Sequence, residues 1–154
     1  MGKARVRAAP VGITLDADAL IASVRGDKGM IALLQEGLAR DCTFRVPSGV
    51  VGQAGRNGRV PSTLARFLRA EEVGIVPLDE HLARSCRSCG EHCGATNNSD
   101  IIDASVVIVA TERRDKIVSS DPVNLRHLDP GRADPACLDF PRPTSVNPKS
   151  GGWG

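Results

Sequence analysis

Three aspartates stand at positions where an α/β protein gathers its active site. Asp16 ends a short apolar run, Asp103 lies inside a predicted helix, and Asp121 closes a second apolar run. Carboxylates that lie a few ångströms apart raise one another's pKa or recruit a cation. If the fold brings these acids to one edge of a sheet, we expect a site for a hard divalent cation, Mg²⁺ or Mn²⁺.

Asp103 is the hardest of these acids to explain by local structure. A carboxylate one turn into an otherwise apolar helix must meet a cation, a hydrogen-bond donor or a water-filled cleft, because burying it unpaired is costly. Asp100 lies three residues earlier on nearly the same helix face, and is a candidate additional ligand or outer support. Helix capping is the alternative role for Asp18, Asp100 and Asp121, since each stands near a predicted helix start.

The elements that must position these acids alternate between strands and helices. Short β-branched runs predict strands at 11–15, 43–46, 73–76 and 116–119, with a weaker fifth strand at 136–140. Apolar spacing and capping residues predict helices at 19–24, 28–40, 47–56, 79–93 and 100–113, and two more that start at Pro61 and Asp121. Parallel strands with right-handed crossovers follow, and such sheets bind ligands at the carboxyl ends of their strands. The predicted class is α/β, a mostly parallel four- or five-stranded sheet with helices on both faces.

Length and composition limit the chain to one domain. Its 154 residues, 41% of them hydrophobic, can bury a single core of ordinary size. We expect residues 1–140 to form this domain and residues 141–154, rich in Pro, Ser, Gly, Asn and Lys, to be a disordered tail. The sequence has neither an apolar run of roughly 20 residues nor a signal peptide, so we expect a cytoplasmic protein without a membrane partner.

Charge and aromatic content restrict how the chain can bind nucleic acid. Lys and Arg number 20 against 18 Asp and Glu, a net charge of +2 that permits an RNA partner without arguing for one. There is no tyrosine, which disfavours base stacking and leaves contacts through phosphates and metal. Arg56 and Arg59, followed by Arg66 and Arg69, are candidate phosphate contacts, and a solvated basic face is the alternative.

A group of cysteines offers a competing metal site. Cys86, Cys89 and Cys93 with His92 are similar to a zinc cluster, because a CxxC pair often binds zinc. Together with Leu82, the cysteines instead have the spacing of one buried helix face, on which cysteine behaves as a small hydrophobe. We therefore expect thiols that pack in the core.

Four stretches resemble the PIN domain in order and spacing, in particular the VapC-like toxins of type II bacterial toxin–antitoxin pairs. They are ITLDADALIA at 13–22, VPSGVVGQAGRNGR at 46–59, SDIIDASVVIVA at 99–110 and IVSSDPVNLRHL at 117–128. The resemblance spans about residues 12–128. It implies a three-layer PIN-like fold and an endoribonuclease that depends on Mg²⁺ or Mn²⁺. It also implies an RNA substrate, a small cognate antitoxin protein and a homodimer.

The resemblance also assigns roles to individual residues. Asp16 matches the family's first-strand aspartate, Asp103 the aspartate of the core helix and Asp121 the one after the fourth strand, so all three are implied catalytic and metal-binding residues. Where many PIN domains have a glutamate in the helix after the second strand, this chain has Gln53, which keeps a carbonyl oxygen but no charge. Gln53 is therefore a candidate ligand of lower affinity.

Two other functions stay open at this point. The neutral Gln53 suggests a catalytically weakened PIN-like protein that acts through partner binding. A phosphoacceptor domain also gathers acids at strand ends, but this chain lacks the adjacent acidic pair that such domains carry after their first strand.

Overall fold

The structure is a computed structural model that describes residues 11–55, 60–93 and 98–119; at 91–93 and 98–100 it describes the backbone alone. The described residues form four strands and six helices, which confirms the predicted α/β class. The strands are β1 Gly12–Leu15, β2 Thr43–Pro47, β3 Val73–Val76 and β4 Lys116–Val118. The helices are α1 Ala17–Val24, α2 Lys28–Ala39, α3 Ser48–Ala54, α4 Ser62–Leu68, α5 Glu80–Cys93 and α6 Asn98–Arg113.

All four strands run parallel in one sheet of order β3-β2-β1-β4. The chain steps in one direction from β1 to β3 and then crosses back to place β4 beside β1. Right-handed crossovers therefore put α1 to α4 on one face of the sheet and α5 and α6 on the other. Phe44 of β2 agrees with this assignment, since its ring packs against Gly37 of α2 and lies 5.4 Å, centroid to centroid, from the ring of Phe67 in α4. The arrangement has three layers, as predicted.

Two apolar clusters hold these layers together. The larger one joins the strands to the helices through fully buried side chains that include Ile13, Leu15, Leu20, Phe44, Val46, Val50 and Val106. The smaller one joins Leu82 and Cys86 of α5 to Ala104 and Val109 of α6. The predicted buried face of α5 is thus confirmed at Leu82 and Cys86, Cys89 is half-buried, and the Cys93 side chain lies outside the described residues. Burial raises the pKa of Cys86 to about 11, so its thiol stays protonated at neutral pH.

Two helices begin two residues earlier than predicted. α1 begins at Ala17, and its N-cap is Asp16, so the prediction of Asp18 as the cap is wrong. The cause is that Asp16, directly after β1, keeps an extended backbone, which lets its carboxylate accept the Ala19 N–H, and Asp18 then lies in the first turn. α6 begins at Asn98, two residues before the predicted start at Asp100.

α6 is only partly buried at the first side chains that the structure describes. Ile101 is 41% exposed, and continuous burial against the sheet and α5 begins only at Ala104. Three further predictions lie outside the described residues: the helix that starts at Asp121, the strand at 136–140 and the disordered tail at 141–154. None of the described helices has the length and apolar composition that crossing a bilayer requires.

Candidate metal site at the carboxyl edge of the sheet

Asp16 lies directly after β1, at the carboxyl edge of the sheet. Leu15 is paired with Val118 of β4, and the Asp16 N–H donates to the Val118 carbonyl at 3.4 Å. The chain turns into α1 at this point, and Asp16 Oδ1 accepts a hydrogen bond from the Ala19 N–H at 2.7 Å. Asp16 is only 3% exposed, so the strand end and the helix start together hold a buried carboxylate in place.

Asp103 reaches the same place from α6. This helix packs across β1, β2 and β4, and Ile102 in its first turns lies against Gly49 at the start of α3, just past the carboxyl end of β2. Asp103 is half-buried, and its charge acts on the Asp16 carboxylate. Asp18, exposed in the first turn of α1, acts on the same carboxylate. The structure thus brings together two of the three predicted acids, Asp16 and Asp103, and adds Asp18 beside them.

Burial dominates the electrostatics of Asp16 and raises its pKa from 3.8 to about 6. Hydrogen bonds from the Ser119 side chain and the Ala19 N–H lower this pKa, whereas the charges of Asp18 and Asp103 raise it. The charged groups known to act on this carboxylate within the described residues are therefore both acidic. A buried carboxylate with acidic neighbours is stabilised by taking up either a proton or a cation.

Ser119 is a site residue that the sequence did not single out. Because Leu15 is paired with Val118, the next residues of the two strands, Asp16 and Ser119, lie side by side at the edge. The Ser119 side chain forms a hydrogen bond with Asp16. Its position in the sequence could have indicated it, because Ser119 follows β4 as Asp16 follows β1. The two residues are neighbours only in one strand register, however, and a single sequence does not reveal the register.

Gln53 lies on α3, which packs against both α1 and α6. It is half-buried and follows Gly49 by one turn, on the same side of the helix. A Cβ built on Gly49 would lie 3.2 Å from Ile102 Cγ1, so this side of α3 meets α6 next to Asp103. Gln53 therefore lies on the side of α3 that packs toward the helix carrying Asp103.

A second polar cluster, which the sequence analysis missed, lies at the opposite end of the sheet. Asp115 precedes β4, and its side chain is 1% exposed. One carboxylate oxygen accepts a hydrogen bond from Arg45 Nη1 at 2.5 Å and the other from Thr14 Oγ1 at 2.9 Å. Thr14 and Arg45 are register partners on β1 and β2, so their side chains share a face of the sheet. The ion pair spans from β2 to β4 over Gly12, where a Cβ would collide with the Asp115 carboxylate.

The remaining predicted site residues, Asp121, Arg56, Arg59 and the side chain of Asp100, lie outside the described residues. Among the side chains that the structure does describe, no three of the types Asp, Glu, His and Cys are arranged to hold a metal ion. The described part of the site offers two carboxylates and a hydroxyl, from Asp16, Asp103 and Ser119. An oxygen-only donor set of this kind suits Mg²⁺ or Mn²⁺.

Comparison with known proteins adds no assignment to this geometry. No protein-family model matches the chain, and no curated protein sequence matches it.

Proposed function

We propose that this protein is an endoribonuclease that depends on Mg²⁺ or Mn²⁺, the PIN-type toxin of a VapC-like toxin–antitoxin pair. The observation that carries the proposal is the buried carboxylate of Asp16 at the end of β1, on which the charge of the half-buried Asp103 of α6 acts. Capping does not account for Asp16 by itself, because Asn or Ser caps a helix as well as Asp without burying a charge. Carboxylates with perturbed pKa values cluster at functional sites.

The residues at this edge fit a hard divalent cation. One oxygen of Asp16 accepts the Ala19 N–H, and an ionised carboxylate retains several further acceptor positions. A cation between Asp16 and Asp103 would offset their mutual repulsion and replace the water that burial removes. In this proposal Asp16 and Asp103 are ligands and Ser119 orients Asp16. The further ligands proposed are Asp121, Asp100 and, through a neutral carbonyl oxygen, Gln53.

The proposed reaction is in-line hydrolysis of an RNA phosphodiester. A bound divalent cation supplies charge stabilisation at the phosphate oxygens and a more acidic water. The chain holds the site rigid, because Asp16 is fixed by both β1 and α1 and Asp103 by a helix that packs on three strands. Arg56 and Arg59 are proposed to contact flanking phosphates, which positions the RNA without reading its sequence.

Partners and location belong to the same proposal. The likeness to VapC-like toxins supports a small cognate antitoxin that binds this chain, a homodimer, and action in the cytoplasm on RNA. Phosphate recognition in place of base stacking agrees with the absence of tyrosine from the sequence.

RNA cleavage by the purified full-length chain tests the proposal. The chain should cut RNA when Mn²⁺ or Mg²⁺ is present and should stop when a chelator is added. Asp16→Asn and Asp103→Asn should each lower cleavage by more than about 100-fold, because residues that merely support a metal ligand are already worth roughly 10- to 100-fold.

Asp27 provides a matched control for the Asp16 substitution. It caps α2 as Asp16 caps α1, with Oδ1 accepting the Met30 N–H at 2.8 Å, but it is exposed. Asp27→Asn therefore repeats the same chemical change at a cap without a buried charge, and cleavage should stay at the wild-type rate. Full cleavage in chelator, or equal losses in Asp16→Asn and Asp27→Asn, would contradict the proposal.

A second candidate function rests on Gln53. A neutral residue in place of an acid removes one negative charge from the side of α3 that packs toward α6, which favours a PIN-like protein that has lost catalysis and acts by binding a partner. This alternative predicts that the wild-type chain neither binds Mn²⁺ nor cuts RNA, and that its expression causes no growth defect. Isothermal titration with Mn²⁺ and the cleavage assay separate the two candidates.

A further inference from the structure

The outer strand of the described sheet, β3, presents an unpaired backbone edge. The Phe44 N–H of β2 donates to the Glu72 carbonyl at 2.7 Å, and Phe44 is in register with Val73. In a parallel pair, alternate residues direct both backbone groups to the neighbouring strand. Glu72, Gly74 and Val76 therefore bond to β2, and the N–H and carbonyl of Ile75 point away from the sheet.

The same edge carries exposed apolar surface. Ile75 and Leu78, just after β3, are each 48% exposed, the largest values among the large hydrophobic side chains of the described residues. Gly74, which directly precedes Ile75 in β3, is also exposed. It has no side chain that would block an approaching chain. An exposed edge with a central aliphatic residue is the feature that strand addition uses, through backbone hydrogen bonds and alternate side-chain contacts.

Acidic residues flank this edge at both ends. Glu71 and Glu72 precede β3 and are exposed, and neither has an ion-pair partner among the described residues. Asp79 and Glu80 follow Leu78 and are also exposed, but Asp79 caps α5 by accepting the Leu82 N–H and Glu80 is paired with Arg84. Two copies of β3 paired antiparallel would set these acids against each other, which disfavours self-association through this edge. The exposed negative charges of Glu71 and Glu72 instead favour a partner segment that carries basic residues.

We propose that the β3 edge is a docking site for an extended segment of a partner protein in which basic residues alternate with aliphatic ones. The partner strand bonds to the outward N–H and carbonyl of Ile75 and covers the Ile75 side chain with an aliphatic residue. Its basic side chains meet Glu71 and Glu72 at one end. The site is separate from the Asp16 and Asp103 carboxylates, so this inference stands whether or not the protein cuts RNA.

A synthetic peptide in which arginine and valine alternate is the probe, added to the full-length chain. Nuclear magnetic resonance should show the Ile75 amide exchanging rapidly with solvent in the free chain and slowly in the complex. Ile75→Pro removes the outward N–H without removing a bond to β2, because proline is tolerated where an edge N–H faces solvent. It should weaken peptide binding by about tenfold, the loss of roughly one backbone hydrogen bond.

Ile75→Val is the control, because it keeps the N–H and the β-branched side chain. It should bind the peptide as the wild type does, and the amides of Ile13 and Val46 should stay protected in both variants if the sheet is intact. A peptide N-methylated on alternate residues keeps its charge but loses the backbone donors, and it should not bind.

Three results would overturn the proposal. The first is equal binding by wild type and Ile75→Pro, which would mean that the acids attract the peptide without strand pairing. The second is an Ile75 amide already protected in the free chain, which would mean that another segment or a second copy occupies the edge. The third is the absence of binding at millimolar peptide.

Discussion

Asp16 and Asp115 are aspartates with buried side chains at the two ends of one sheet, and their carboxylates have neighbours of opposite charge. Asp115, at the amino end, is paired with Arg45 and accepts a second hydrogen bond from Thr14. Asp16, at the carboxyl end, accepts hydrogen bonds from Ser119 and Ala19, while the charged groups that act on it in the described chain are acidic. The charge of Asp115 is thus neutralised within the fold, whereas the Asp16 carboxylate is buried beside other acids, an environment in which a carboxylate is stabilised by a proton or a cation.

The largest effect on stability should come from breaking the Arg45–Asp115 ion pair at the amino end of the sheet. Asp115→Asn removes the charge that Arg45 faces, and because the Arg45 side chain is only 21% exposed, water compensates poorly. We expect the free energy of unfolding to fall by about 3 kcal/mol in urea denaturation. Glu36→Gln, which breaks the exposed Glu36–Arg40 pair, should change it by less than about 0.5 kcal/mol. Similar losses in the two variants would show that the buried pair has no special role.

An aspartate-to-asparagine substitution at Asp16, at the carboxyl end of the sheet, should raise the free energy of unfolding, whereas the one at Asp115 lowers it. The pKa of Asp16 is about 6 in the folded chain against 3.8 unfolded, so between these pH values the folded state binds more protons. The resulting stability is present below about pH 4 and is lost as pH rises through 6, a change of at most about 3 kcal/mol. Asp16→Asn cannot ionise but still offers a capping oxygen. In chelator at pH 7 it should therefore raise the free energy of unfolding by about 2 kcal/mol.

Denaturation of both proteins at pH 4 and pH 7 measures this effect. In chelator the wild type should lose stability between the two pH values by more than Asp16→Asn does, and added Mn²⁺ should restore part of it at pH 7 only in the wild type. Loss of stability in Asp16→Asn at pH 7 would mean that Asp16 is a structural residue and would remove the contrast with Asp115.

A substitution at Gly12 tests whether the Arg45–Asp115 ion pair is held in one position. A methyl group at Gly12 would meet the Asp115 carboxylate and Arg45 Nη1, so Gly12→Ala must displace the ion pair that crosses over it. We expect a loss of roughly 1 to 2 kcal/mol in unfolding free energy. Gly52→Ala is the matched control, since a Cβ there meets nothing within 4 Å, and alanine in an exposed helical position should stabilise by about 0.5 to 1 kcal/mol. Wild-type stability in Gly12→Ala would show that the pair moves freely.

The smallest effect concerns Gln53. Gln53→Glu adds a negative charge on the side of α3 that packs toward α6 and should tighten Mn²⁺ binding by up to about tenfold. Calorimetric titration of both proteins at pH 7.5 measures the change. Gln35→Glu, an exposed position on α2, adds the same charge elsewhere and should leave the affinity unaltered. Tighter binding in both variants would assign the gain to net charge alone.

The periodicity and order of apolar residues in the sequence predicted the secondary-structure elements and their arrangement. Parallel strands and intervening helices follow from where apolar runs end, and the position of Asp16 follows from the rule that strand ends gather ligands. The place of Asp103 beside it came instead from the resemblance to PIN domains, because a residue inside a helix is not located by that rule. It did not predict the Arg45–Asp115 pair or the Ser119 contact, because both depend on register across three strands. It also gave the cap of α1 to Asp18, since the exact point at which β1 turns into α1 is set by tertiary packing.

The ion pair over Gly12 has a consequence for synthesis of the chain. Arg45 belongs to the second strand, but its counter-charge is supplied only by residue 115, directly before the fourth. A nascent chain that has not yet emerged past that residue holds an arginine with no buried partner and a first strand with one open side. β4 must therefore leave the ribosome before the described sheet can close, and the contact of Ser119 with Asp16 at the carboxyl edge forms only after translation has passed the whole of the described chain.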